Sequence, residues 1–125
     1  MTFTKLYFSL EGRISRSTFW FKVLLPLFVF IFVSVLIAVV AVKIGRLDDG
    51  ATAFLLCLTH SIVIWSGIAA GVKRLHDRGK SGRAILITVI PVIGAIWYFF
   101  KLGFAKGTKG ENQFGPDPLA AAKPR

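Results

Sequence analysis

Eleven residues, Lys73 to Arg83, carry five cations and separate two apolar runs, 51–72 and 84–100, that contain no Asp, Glu, Lys or Arg. A soluble core rarely accommodates two such runs on either side of a charged stretch. A short basic loop between two membrane-crossing helices does so directly. A third apolar block, Phe19 to Val42, precedes both.

Within the three blocks Lys22 is the only formally charged side chain, close enough to the start of its block for its stem to snorkel back to the headgroups. The 54% hydrophobic fraction of the 125-residue chain lies above the roughly 45–50% of soluble domains, and these blocks account for the excess. The expected fold is all-α: one membrane domain over 1–125, with a short interfacial helix within 1–18, three transmembrane helices at 19–42, 51–72 and 84–100, and an irregular tail from 101 to 125.

At about 1.5 Å per residue the blocks reach roughly 36, 33 and 26 Å, against a hydrocarbon core of about 30 Å. The third is the shortest and contains Pro91 and Gly94, so a kinked span competes with a re-entrant hairpin. The run Trp97-Tyr98-Phe99-Phe100-Lys101 resembles an aromatic belt with a cationic anchor and favours the full span. The first block is roughly twice as long as the apolar core of a signal peptide, so a retained anchor is expected.

The net charge of +10 raises nucleic acid as a partner, but the cations gather at the ends of apolar blocks and no nucleic-acid motif accompanies them. Membrane lipids with anionic headgroups are the expected partners, with a second copy or another membrane protein as a further class. By the positive-inside rule the N-terminus, with Lys5, Arg13, Arg16 and Lys22, and the loop 73–83 face the cytoplasm. The first loop and, for three full spans, the tail then face the other side.

Phe3, Leu6, Tyr7 and Leu10 fall at the spacing of one helical face. Gly12 permits a turn, and Ser15 or Ser17 can cap the first span. In the second span Gly67 and Gly71 form a G-x-x-x-G pair that shares its face with His60, a seam for packing inside the monomer or between copies. The plainest state of His60 is a neutral imidazole bonded to a neighbouring carbonyl or hydroxyl; that of Cys57 is a small buried hydrophobe.

In the basic loop Lys73 and Asp77 are spaced as an i, i+4 pair, Gly79 suits a helix end, and Ser81 can cap the next helix. His76 beside Asp77 among cations is a candidate for holding a phosphate or carboxylate, or for responding to pH. There is no nucleophile-base-orienter set, metal-ligand spacing or phosphate loop, so no catalytic residue, metal or cofactor is expected. An enzyme or transporter component is the alternative, with His76 and Asp77 as an acid-base pair or His60 on a proton path. Adjacent helical residues point about 100° apart, which disfavours the pair.

Three segments carry a resemblance: Gly12 to Trp20 (GRISRSTFW), Lys73 to Gly82 (KRLHDRGKSG) and Gly107 to Pro118 (GTKGENQFGPDP). In order and spacing they resemble the signatures of the YhaH-like bacterial inner-membrane proteins, domain of unknown function 805. The resemblance implies a small helical protein of the bacterial inner membrane and brings no reaction with it. Its matching positions are Arg13, Arg16, Arg74, His76, Asp77, Ser81, Asn112, Gly115 and Asp117, to which the basic loop adds Arg78 as a ligand or partner contact. Arg83 and Ala84 stand where the family pattern has an aromatic, and Phe114 where Tyr is common.

Overall fold

A computed structural model describes residues 1–120; the expected tail 101–125 therefore extends past the described residues by 121–125. Helix α1, Phe3–Tyr7, is followed by an irregular segment and by two long helices, α2 (Thr18–Lys43) and α3 (Asp49–Asp77). A 3₁₀ helix, Gly82–Val89, leads to a sharp turn and to α4, Ile93–Phe104.

Helices α2 and α3 have 26 and 29 residues and are apolar enough to cross a membrane. Only 17% and 22% of their most apolar windows are buried inside the protein. Core helices of soluble proteins bury far more, so these apolar surfaces face outward. Cys57 is among the outward-facing residues of α3, a correction to its expected burial.

The opening of α2, Thr18–Leu24, is wound as a π-helix. Pro26 lies just beyond it and has no N–H to give the carbonyl of Lys22, four residues back. The Tyr7 hydroxyl donates to that carbonyl at 2.5 Å, fastening α1 beside the start of α2. Of the expected apolar face of α1 only Leu6 is buried, while Phe3 stays 71% exposed.

Segment 84–100 does not form one straight helix but a 3₁₀ arm, a turn and the start of α4, so the expected third span is not confirmed as a single helix. Pro91 disfavours helical geometry at the residue before it. Ile90 is accordingly extended, and Val92 is turned to φ 64°, with Ile93 N–H donating to the Pro91 carbonyl at 2.7 Å. The chain then runs back along its first arm. Gly94 makes the contact feasible, because a Cβ there would lie 2.6 Å from the Ile87 carbonyl oxygen and from the Thr88 Cα.

Both arms pack on the small-residue face of α3. A Cβ on Gly71 would come within 2.6 Å of Ile85 in the first arm and 2.8 Å of Tyr98 in the second. The Tyr98 hydroxyl donates to the Gly67 carbonyl at 2.7 Å. The G-x-x-x-G seam is thus filled within the monomer. His60 lies higher on α3, half-buried, with Nδ1 donating to the Leu56 carbonyl at 2.8 Å. The helical turns extend to Phe104, four residues into the segment expected to be irregular.

Candidate functional site

Helix α3 ends at Asp77, and its last turn carries Lys73, Arg74, His76 and Asp77. Charged groups at a helix end ordinarily reach solvent. Here the 3₁₀ arm, the end of α4, the N-terminal segment and the tail close over that turn, leaving Arg74 fully buried and Arg13 and Asp77 nearly so.

One carboxylate serves two guanidinium groups. Asp77 Oδ1 accepts from Arg13 Nε at 3.2 Å and Nη2 at 3.1 Å, and Oδ2 accepts from Arg74 Nη1. Among the described residues both salt bridges involve this carboxylate. The cluster therefore keeps one excess positive charge, which backbone carbonyl dipoles must absorb. Arg13 donates to Gly110 O (2.7 Å), Gly115 O (3.0 Å) and Thr108 O (2.7 Å). Arg74 donates to Leu102 O at 2.8 Å and to Ala105 O.

The expected Lys73–Asp77 pair does not form. Lys73 lies a full 100° step from Arg74 around the helix, and it turns toward α1, where Nζ donates to the carbonyls of Lys5 (2.5 Å) and Leu6 (2.6 Å). It thus caps the end of α1, while Arg74, at i, i+3, takes the carboxylate. The first turn of α2 is closed by Ser15, whose Oγ accepts from Thr18 N–H at 3.2 Å.

The carbonyls at the end of α4 explain why so many donors converge. A helix leaves its last carbonyls without intrahelical partners. Five consecutive ones are met by side chains from earlier in the chain: Lys101 O by Arg78 (3.0 Å), Leu102 O by Arg74, Gly103 O by Trp20 Nε1 (3.1 Å), Phe104 O by Arg16 (3.3 Å) and Ala105 O again by Arg74. Four sequence-singled arginines, Arg13, Arg16, Arg74 and Arg78, thus hold non-helical or helix-terminal backbone.

The tail completes the enclosure. Thr108 N–H donates to the Asp77 carbonyl at 2.7 Å, and its hydroxyl does so at 3.0 Å. Asn112 Nδ2 donates to His76 O (2.9 Å) and Thr108 Oγ1 (2.8 Å). Gly107 lies so close to the carboxylate that a Cβ there would sit 2.0 Å from Asp77 Oδ2. His76 stacks on Phe114 with ring centroids 4.0 Å apart and planes 5° from parallel, and its Nδ1 is 3.3 Å from Gly12 O.

Two candidates stand apart from this enclosure. Asp117 closes a local turn by accepting from Gly110 N–H at 3.0 Å and Leu119 N–H at 2.9 Å, and these amides hold its carboxyl below the usual range. Ser81 is exposed and accepts from Arg83 N–H at the start of the 3₁₀ arm. Trp20, Gly107 and Thr108 do not stand out in the sequence, and Lys73 does so only as an expected partner of Asp77. Trp20, Gly107 and Thr108 lie inside the signature segments, so their company was the available signal; for Lys73 it was the charge at the end of an apolar run.

The described residues define a small all-helical protein with two membrane-length apolar helices, a packed hairpin and a buried arginine-aspartate clasp at one end. The family model described as Protein of unknown function (DUF805) matches residues 7–116, and the chain belongs to that family. It is 32% identical to the uncharacterized protein YiiR of Escherichia coli K12, over 94% of this chain and 90% of that relative. It is similar also to the inner membrane proteins YhaH (31%, over 91% and 90%) and YhaI (28%, over 91% and 89%) of the same organism. No solved structure matches it.

Proposed function

We propose that this chain is a non-enzymatic module of the bacterial inner membrane, with two spanning helices, a re-entrant third segment and both termini in the cytoplasm, that holds anionic lipid headgroups with an exposed basic rim. The observation that carries the reading is the division of the signature residues. Asp77, Arg13 and Arg74 spend their polar atoms on one another and on backbone carbonyls, which supports a structural role for Asp77 over an acid-base one.

Several cations remain outside the clasp at the same end. Lys80, Arg83, Lys101, Lys106 and Lys109 are exposed, and the described residues form no surface salt bridge with them. Cations beside an anionic leaflet contribute about 1 kcal/mol each. The inner-membrane names of the two relatives and the basic end of the helix pair support the cytoplasmic assignment. The bonds from Arg13 and Asp77 to residues 108–115 support a tail on the same side as the N-terminus.

Paired reporter fusions after residue 120 test the topology: a cytoplasmic fluorescent reporter active there, and an exported phosphatase inactive, is the expected result. An active phosphatase would mean three full spans. For the rim, the purified protein in nanodiscs should show a higher unfolding midpoint in phosphatidylglycerol than in phosphatidylcholine. Salt and Lys80→Gln/Arg83→Gln should both reduce that difference; equal midpoints in the two lipids would refute the rim.

A further inference from the structure

Where α2 begins, a cleft of about 390 Å³ opens between the first turn of α2, the end of α4 and Leu119 of the tail. Its lining combines two chemistries, polar and aromatic. The polar part is formed by the Arg16 guanidinium and the Ser17 hydroxyl, both on exposed residues. Arg16 uses Nη1 on the Phe104 carbonyl, and its remaining N–H groups have no bond to the described residues. Ser17 Oγ lies 3.0 Å from Ser15 Oγ; because the Ser15 proton goes to Thr18 Oγ1, Ser17 is the donor in that contact, and rotation of its exposed hydroxyl would redirect the proton to a ligand.

The aromatic part forms a wall. Trp20 is fixed by its bond to Gly103 O and packs against Phe104 with centroids 5.6 Å apart. Phe21 and Phe104 are 70% and 61% exposed. Among the described residues no carboxylate lines the cleft. The position is the one where the chain passes from the basic N-terminal segment into its first apolar block, the depth at which Trp sits between headgroups and acyl chains.

We infer that this cleft is a specific site for one anionic phospholipid: Arg16 and Ser17 donate to the phosphodiester, and the first acyl carbons lie along Trp20, Phe21 and Phe104. A guanidinium with free N–H groups suits a phosphate oxygen pair. The aromatic wall has no use for a soluble phosphate, and a choline or ethanolamine headgroup would bring a second cation toward Arg16. The site rests on the reading of the protein as an anionic-lipid module, but it uses residues other than the basic rim.

Native mass spectrometry of the whole protein released from phosphatidylglycerol nanodiscs tests the site. The expected result is one retained phospholipid per chain, with occupancy about tenfold lower in Arg16→Gln/Ser17→Ala and little changed in Lys80→Gln/Arg83→Gln. Should the double variant fail to fold, Phe21→Ala, on an exposed side chain, reads the same cleft and should also lower occupancy. Occupancy equal to wild type in the folded double variant, or in Phe21→Ala, overturns the site; so does glycerol 3-phosphate binding as well as the phospholipid. Neither result touches the rim, whose test is the salt-dependent midpoint difference reduced by Lys80→Gln/Arg83→Gln.

Discussion

The two ends of the α2–α3 pair are closed in opposite ways. At the loop between the helices the closure is local: Arg46 N–H returns to Ala41 O at 2.9 Å, and Asp48 caps α3 by accepting from Ala51 N–H at 2.7 Å. At the other end Arg13 reaches Asp77, 64 positions away, and Gly115, 102 positions away. A loop of a few residues satisfies its own backbone. An end that gathers a hairpin, a tail and an N-terminal segment has many orphan carbonyls, and it needs donors long enough to cross between segments.

Breaking the clasp should therefore cost most. Asp77→Ala leaves two buried guanidinium groups without their carboxylate, and we expect a loss of about 3–5 kcal/mol with early proteolysis after residue 104. Unfolding followed by circular dichroism in detergent checks it; a loss below about 0.5 kcal/mol would show that the two ends do not differ in this way. Gly107→Ala forces a methyl against the same carboxylate and should cost about 1–3 kcal/mol by the same measurement. The far end should be more forgiving: Asp48→Ala removes one cap, for about 1 kcal/mol.

The hairpin tip sharpens the contrast with a change of sign. Val92 is a β-branched residue at positive φ, so Val92→Gly should raise the unfolding free energy by up to about 1 kcal/mol. The smallest effect belongs to Asp117. Its carboxyl is held low by the amides of Leu119 and Gly110, so the turn it closes is fully supported above the ordinary Asp value of about 4 and loses that support as pH falls through the lowered one. Amide shifts of Gly110 and Leu119 in an acid titration should move together below that value.

Sequence patterning exposed some of this arrangement and hid the rest for identifiable reasons. Charge-free runs and the long helices they form are one-dimensional properties, so α2 and α3 were legible. Pro91 and Gly94 marked a break, but whether the chain continues or turns back depends on contacts with Gly71 and Thr88 that no local pattern encodes. The clasp was legible as a list of polar residues and not as a bond pattern. Lys73 and Arg74 have the same charge; only the placement of α1 and of the tail decides which of them meets Asp77. Most acceptors of Arg13 and Arg74 are carbonyls, which every residue has and which therefore leave no mark in a sequence.

The reach of Arg13 has a consequence for the order of synthesis. Two of its acceptors, Gly110 and Gly115, are made 97 and 102 positions after it. Until then its guanidinium has to stay in water or at the headgroups, because no earlier segment offers the same set of acceptors. The cost of joining such distant points grows only logarithmically with length, so the delay is a matter of timing more than of free energy. This end can therefore close only once Gly115 has been made, and a chain released before Gly115 would carry an open and still hydrated Arg13.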